Sequence, residues 1–274
     1  MSTNRDAVQE RYRQAALRMA DHGSDRCHSG CCGCCGMSIE EEMEACGTAY
    51  TVAELAEAGL DRSFSLGCGN PILLAQLRPG EVVLDLGSGA GLDVLLAARR
   101  VAPGGHAYGV DMTGEMLALA DRNRERAGVT NATFLAGTLE RLPLGDTSVD
   151  VVLSNCVINL VEDKRAALRE AFRVLRPGGR LAVSDVVELR PLPEAVKLDP
   201  DARAGCVAGA IPVDDYRRLL REAGFESVEI EVIGGPEPSG AVGSASIRAR
   251  KPAPARAGFG PAGRGRPGGG TAIG

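Results

Sequence analysis

The chain has 274 residues, a length that allows one large domain with a full hydrophobic core and leaves little room for two. It carries 31 Lys and Arg against 36 Asp and Glu, a formal net charge of -5, and such a chain lacks the basic surface that nucleic-acid phosphates require. The N-terminus has no signal-peptide stretch, and no apolar run reaches the roughly eighteen residues of a membrane span. We therefore expect a cytoplasmic protein that binds neither nucleic acid nor membrane.

The N-terminal region combines a helix pattern with a run of thiols. Apolar residues at helical spacing predict a helix over residues 5 to 20. Residues 26 to 36 follow, "RCHSGCCGCCG", with five of the nine cysteines. In a reducing cytoplasm such thiols indicate metal binding, catalysis or redox chemistry before a disulfide framework. A structural zinc site that includes His28 is the weaker alternative, because "CHSGCC" lacks the paired spacing of a zinc ribbon.

The rest of the chain predicts an α/β fold. A short helix is expected over residues 51 to 58, and from residue 81 strand and helix signals alternate, which predicts a mostly parallel sheet with helices on both faces. The last two strand runs, "SVEIEVIG" and "VGSASIRAR", have no helix between them and predict a terminal antiparallel hairpin. Residues 253 to 274 are rich in Gly, Pro, Ala and Arg and predict a disordered tail.

A glycine loop indicates the cofactor. Gly87, Gly89 and Gly91 follow an apolar strand and precede a helix, and Asp111 ends the next strand. Glycines let the backbone approach a ligand closely, while an acid at the second strand tip can accept from both ribose hydroxyls. Asp85, two residues before the first glycine, would repel a pyrophosphate and suits a ligand with an ammonium group. The loop therefore favours S-adenosyl-L-methionine over a dinucleotide.

Several stretches carry a family resemblance. "VLDLGSGAG", "GVDMT" and "RVLRPGGRLAVSDVV" resemble class I S-adenosylmethionine-dependent methyltransferases, and "FSLGCGNP" with "SNCVINL" is similar to the arsenite methyltransferases over roughly residues 50 to 250. The resemblance implies a Rossmann-like, seven-stranded, mostly parallel sheet that ends in a hairpin. It also implies that Asp111 binds ribose and Met112 flanks adenine. The further residues that it places around the cofactor are Leu66, Thr138, Leu139, Glu140 and Asn155.

Three cysteines outside the N-terminal run are candidates for a soft-ligand site. Cys68 lies in the "GCGNP" turn, Cys156 just past the end of a strand, and Cys206 between the fifth strand and the next helix. One such cysteine is ordinarily a small buried hydrophobe, but three in loops beside a cofactor crevice indicate a thiophilic centre. Trivalent arsenic binds three sulfurs and keeps a lone pair that can attack a sulfonium methyl in line. No proton has to leave this acceptor, so no general base is required.

The resemblance assigns roles to these thiols. It implies that Cys68, Cys156 and Cys206 bind arsenic and that one N-terminal cysteine joins them. Cys31, Cys32, Cys34 and Cys35 all qualify, and we favour Cys32. Oxidised arsenic or an oxidised cysteine pair must then be reduced, which implies thioredoxin or glutathione as a partner beside arsenite or its thiol adducts. Arsenite methyltransferases often carry an aromatic residue before the third cysteine, whereas this chain has no Trp and reads "KLDPDARAGC" there.

The expected organisation has three parts. Residues 1–50 hold the helix and the cysteine-rich segment, residues 51–252 the methyltransferase domain with an arsenic-binding insert near 187–211, and residues 253–274 the tail. The leading hypothesis is an arsenite methyltransferase that produces methylarsenicals for detoxification. The alternatives are a C- or O-methyltransferase for a quinone-type acceptor and a non-catalytic metalloid-binding or redox protein that retains the fold.

Overall fold

The computed structural model describes residues 4–21, 50–60, 67, 69–199, 202, 206–234 and 240–254. The cysteine-rich run, Leu66, Cys68 and residues 255–274 lie outside the described residues. The helices are α1 (Asn4–Asp21), α2 (Val52–Ala58), α3 (Pro71–Ala75), α4 (Leu92–Val101), α5 (Gly114–Ala127), α6 (Lys164–Val174), α7 (Glu194–Leu198) and α8 (Val213–Ala223), with a 3-10 turn at Ile158–Leu160. The strands are β1 (Val82–Leu86), β2 (His106–Asp111), β3 (Ala132–Ala136), β4 (Val149–Asn155), β5 (Leu175–Glu188), β6 (Ile211–Pro212), β7 (Glu226–Gly234) and β8 (Val242–Arg250).

The strands form one sheet in the order β3-β2-β1-β4-β5-β8-β7. Strands β1 to β5 pair in parallel, and β8 runs antiparallel to both β5 and β7. The α/β class and the terminal hairpin are therefore confirmed. The two-residue strand β6 pairs in parallel with the end of β5, and a segment this short carries no periodic signal in the sequence.

The order of the strands reverses at β1. Its neighbours are β2 on one side and β4 on the other, so the connections leave the sheet in opposite directions at this point. In open α/β sheets such a reversal leaves a crevice outside the carboxyl ends of the strands. The fold thus places the ligand crevice at the ends of β1 and β4, where the glycine loop and Cys156 follow.

Helices cover both faces of the sheet, as a parallel sheet requires. One apolar cluster joins α4 to β1 and β4 through residues such as Leu95, Leu96 and Val83, and a second joins α6 and α8 to β5 and β8 through Leu168, Leu220 and Ile247. Burial on both faces explains why the strand sequences are continuous apolar runs rather than alternating ones.

The two predicted N-terminal helices are confirmed with small shifts in their ends. Helix α2 begins one residue after the predicted position because Thr51 is its N-cap: the Thr51 hydroxyl accepts from the Glu54 amide, and the Glu54 carboxylate accepts from the Thr51 amide. Among the residues that the structure describes, no helix has both the length and the apolar character needed to span a bilayer.

Candidate active site

A cleft opens at the carboxyl ends of the central strands. Its lining contains every predicted cofactor residue of the described part of the chain except Gly91; these are Asp85, Gly87, Gly89, Asp111, Met112, Thr138, Leu139, Glu140 and Asn155. The cleft therefore coincides with the sheet position at which ligands of this architecture bind.

The glycine loop has left-handed backbone conformations. Gly87 and Gly89 have φ values of 69° and 49°, and the amides of Gly87 and Ser88 donate to the carbonyl of Val110. A Cβ at Gly89 would meet nothing within 4 Å, so this part of the loop borders open space that a ligand can fill. Gly91 instead precedes α4, and a Cβ there would lie 2.7 Å from the Phe134 ring. Its lack of a side chain serves packing.

Asp111 is fixed at the tip of β2 by backbone donors. Its Oδ2 accepts from the Gly89 amide at 2.9 Å, and its Oδ1 accepts from the Thr113 amide at 2.8 Å. Burial raises the pKa of this carboxyl despite those bonds. Asp111 lines the cleft next to the open space at Gly89, where its carboxylate can also accept from ligand hydroxyls.

Three carboxyl groups converge at the floor of the cleft, namely Asp85, Asp93 and Asp111. Burial, followed by the charges of Asp93 and Asp111, raises the pKa of Asp85 well above its usual range. Burial also raises the pKa of Asp93 to about 6. Acids in this arrangement repel one another, and a cationic ligand would relieve that repulsion. The floor therefore fits a ligand that carries ammonium and sulfonium charges and would reject a pyrophosphate.

Asp93 and Tyr50 were not singled out from the sequence. Asp93 lies in the first turn of α4, and Tyr50 is a buried residue just ahead of α2. The Tyr50 hydroxyl donates to Asp93 Oδ1, and the Asn155 amide nitrogen donates to the Tyr50 oxygen at 3.1 Å. The acid directly after the glycine loop was an available signal, whereas no sequence signal connects it with a tyrosine 43 positions earlier.

Helix α1 forms part of the cleft lining. Arg5 forms a 2.8 Å ion pair with Glu140, and the Gln9 side-chain amide donates to the Met112 carbonyl at 3.1 Å. Tyr12 also lines the cleft. The N-terminal helix therefore contacts two of the residues that were predicted to surround adenine.

Two of the candidate arsenic ligands lie together beside the cleft. Cys156 directly follows Asn155, and the Cys206 thiol donates to the Cys156 carbonyl with 2.6 Å between sulfur and oxygen. Both cysteines are almost completely buried, and both have left-handed φ values, 56° and 67°. Left-handed conformations are costly for residues other than glycine and concentrate at functional sites.

The two cysteines differ in oxidation state. Cys156 is disulfide-bonded in this structure, whereas Cys206 is a free thiol. The thiolate predicted at Cys156 is therefore not present in this state, because a sulfur in a disulfide carries no thiolate. Cys68 and Cys32 lie outside the described residues, and within the described ranges no group of three His, Cys, Asp or Glu could hold a metal ion.

A buried carboxyl near Cys206 was also missed by the sequence analysis. Asp185 is fully buried on β5, and its Oδ2 accepts from the Tyr216 hydroxyl at 3.3 Å. Burial raises the pKa of Asp185 to about 7. Burial and, after it, the Asp185 charge raise the pKa of the Cys206 thiol far above its usual range. Cys206 is therefore a neutral thiol until a ligand replaces its proton.

Comparisons with known proteins agree with this geometry. A methyltransferase domain family matches residues 77–224. An arsenite methyltransferase of Halobacterium salinarum is 45% identical over 269 residues, which covers 91% of this chain and 67% of the relative. An arsenite methyltransferase of Aquipseudomonas alcaligenes is 44% identical over 166 residues, and this chain spans only 47% of its length. This chain superimposes on the crystal structure of an arsenic(III) S-adenosylmethionine methyltransferase from Chlamydomonas reinhardtii with a TM-score of 0.61 and 38% sequence identity. The matched part covers 74% of each of the two chains.

Proposed function

Because the chain belongs to the arsenite methyltransferases, a family of S-adenosylmethionine-dependent methyltransferases, we propose that it transfers a methyl group from S-adenosylmethionine to trivalent arsenic bound by cysteine sulfur. The observation that carries the proposal is the meeting of Cys156 and Cys206 at the edge of the cofactor cleft. The substrate would be arsenite or its thiol adducts, and the products would be methylarsenicals, which serves detoxification.

The carboxyl groups at the floor of the cleft complement the positive charges of S-adenosylmethionine. When bound, the cofactor supplies an electrophilic methyl group on a sulfonium sulfur. Asp85 and Asp93 would favour its positive charges, Asp111 would hold the ribose hydroxyls, and the open space at Gly89 would admit the ligand next to the backbone. The residues proposed around the base are Met112, Thr138, Leu139 and Glu140.

Arsenic would be bound by Cys68, Cys156 and Cys206. Cys32 would be the fourth thiol, which delivers arsenic to the other three. Soft sulfur ligands select arsenic over hard cations, and the burial of Cys156 and Cys206 keeps water away from the As–S bonds. The arsenic lone pair is the nucleophile, so the chain has to position the acceptor rather than remove a proton from it. We place Cys206 in an arsenic-binding insert over residues 187–211, within a methyltransferase domain over residues 51–252.

Cys156 can act only after its disulfide is reduced. Reduction needs two electrons from a thiol donor. A first donor thiol forms a mixed disulfide with Cys156, and a second thiol then attacks the donor sulfur and releases the Cys156 sulfur as a thiolate. We propose thioredoxin or glutathione as this donor and the cytoplasm as the compartment, since thiols are kept reduced there.

The test is to separate the arsenic species after the purified protein is incubated with arsenite, a thiol reductant and S-adenosylmethionine. We expect methylated arsenic, which must be absent when the cofactor is left out. Arsenic binding without methylated product would instead indicate a metalloid-binding protein. If neither binding nor product occurs, the activity belongs to the class of methyltransferases for organic acceptors.

A further inference from the structure

A partly buried hydrogen-bond network connects the cofactor side of the site with Gly69, in the "GCGNP" turn that the sequence predicts. Asn155 is its centre: the side-chain nitrogen donates to the Gly69 carbonyl at 2.7 Å, and the side-chain oxygen accepts from the Gly69 amide at 3.2 Å. The same nitrogen contacts the Tyr50 oxygen at 3.1 Å and, more distantly, Asp93 Oδ2 at 3.4 Å. The Tyr50 hydroxyl donates to Asp93 Oδ1 and closes the network.

Gly67 and Gly69 of this turn are also closely packed against neighbouring side chains. A Cβ at Gly67 would lie 2.2 Å from Asn155 Cγ, and a Cβ at Gly69 would lie 2.6 Å from the Ser184 side chain. The two glycines therefore let the turn approach the ends of β4 and β5 more closely than any other residue would allow. A shift of the Asn155 amide would remove the surface on which the turn rests.

Asp93 and Tyr50 determine where that amide points. Both carboxylate oxygens of Asp93 face donors of the network, one from Tyr50 and one from Asn155, so its orientation is restrained from two sides. Asp93 is buried in the first turn of α4, directly after the glycine loop, where burial of a carboxyl costs free energy unless hydrogen bonds such as those from Tyr50 and Asn155 offset it.

We propose that Tyr50 and Asp93 are positioning residues for methyl transfer: they fix the Asn155 amide, which holds Gly69 by two hydrogen bonds and packs against Gly67, beside the strand end that Cys156 follows. The inference rests on the proposed function, because it assigns these residues to the alignment of the sulfur ligands with the cofactor. Neither residue binds arsenic in this scheme.

The experiment compares Tyr50→Phe and Asp93→Asn with the wild-type protein. Tyr50→Phe is the principal variant because Tyr50 does not line the cleft and loses only its hydroxyl. Asn131→Ala is the matched control, since the Asn131 amide also bridges two carbonyls, those of Ala98 and Gly105, but does not line the cleft and directly precedes the edge strand β3. Three quantities are measured: amide hydrogen exchange across residues 67–75, cofactor affinity, and the single-turnover rate of methyl transfer to bound arsenic.

We expect exchange in the 67–75 segment to rise by about tenfold in both network variants, because the Gly69 amide loses a fixed acceptor. The transfer rate should fall by about tenfold or more, since small misplacements of reacting groups have effects of that size. The affinity of Tyr50→Phe for the cofactor should stay within about twofold of the wild type. Asn131→Ala should change neither the segment's exchange nor the rate.

Unchanged exchange in the 67–75 segment of both variants would overturn the inference, as would an equal rise across all segments, which would show a general loss of stability. Full transfer rates in both variants would overturn it too. If the wild-type protein forms no methylarsenic, the proposed function fails, and the exchange measurement still decides whether Tyr50 and Asp93 hold the turn.

Discussion

The Cys206 thiol donates a hydrogen bond to the backbone carbonyl of Cys156, although 50 positions separate the two residues. Cys156 is held from the other side as well, since its amide donates to the Ser184 carbonyl at 2.8 Å. Each cysteine keeps a left-handed backbone conformation that a residue with a side chain adopts only when its surroundings require it. The fold therefore maintains two cysteines in strained backbone conformations side by side at the cofactor cleft.

Replacing either cysteine by serine should abolish methylation of arsenite. Serine keeps the size and the backbone conformation, but its hydroxyl is a hard ligand with little affinity for arsenic. Cys156→Ser and Cys206→Ser should both bind the cofactor within about twofold of the wild type, because neither cysteine lines the cleft. Arsenic speciation and calorimetric cofactor titration check the two expectations. Val207→Thr, a near-isosteric change beside Cys206, is the control and should keep its methylation activity. Retained methylation in either serine variant would contradict the thiolate site.

Methylation should depend on prior reduction of the Cys156 disulfide. Protein purified without reductant should gain two titratable thiols in denaturant for each disulfide that is reduced, and methylated arsenic should form only after that gain. The measurement is a thiol titration followed by arsenic speciation on the same sample. Equal methylation before and after reduction would show that Cys156 sulfur is not required.

The strands and the glycine loop could be predicted because their signals are local. An apolar run, a glycine turn and an acid at the next strand tip lie within about thirty residues of sequence. The contacts that complete the site are not local. Arg5 reaches Glu140 across 135 positions, and Tyr50 reaches Asp93 across 43. The apolar spacing of residues 5 to 20 predicts a helix but not its position on the cleft, since helix periodicity shows which residues are buried and not what covers them.

Local signals also reveal some of the buried acidic residues and not others. Asp85 was identified from its repulsion of a pyrophosphate, an argument that needs only its sequence position. Asp185 was missed because "AVSDVV" shows only an acid within an apolar strand, and its significance depends on burial and on Tyr216, which are properties of the folded chain.

Gly67→Ala should impair methyl transfer more than cofactor binding. The added methyl would lie 2.2 Å from Asn155 Cγ, so the amide or the turn must move. A displacement of that kind should lower the transfer rate by about tenfold to a hundredfold. Gly145→Ala is the matched control because a Cβ there meets nothing within 4 Å. Equal single-turnover rates for the two alanine variants would contradict the close approach of the turn to Asn155.

Deletion of residues 253–274 should leave methylation and melting temperature unchanged, whereas a deletion that also removes Lys251 should destabilise the protein. The Lys251 ammonium donates to the carbonyls of Phe172 and Leu175, both at 2.7 Å, and lies 4.5 Å from the centre of the Phe172 ring. Its loss would leave the end of α6 without these donors. Thermal unfolding of the two truncated proteins separates the outcomes, and a large loss of activity on the shorter deletion would show that the tail takes part in the reaction.

Asp185→Asn should stabilise the protein in mildly alkaline solution. Burial raises the pKa of Asp185 from 3.8 to about 7, so the folded state binds its proton more tightly than the unfolded state does. The stability that the protonated carboxyl contributes is complete below pH 3.8 and is lost as the pH rises through about 7. Asparagine stays neutral throughout, so the free energy of unfolding of Asp185→Asn should exceed that of the wild type by at most about 4 kcal/mol at about pH 8, with a much smaller difference at about pH 5. Urea unfolding at both pH values measures the difference. An equal effect of Asp185→Asn at both pH values would mean that Asp185 does not titrate in this range.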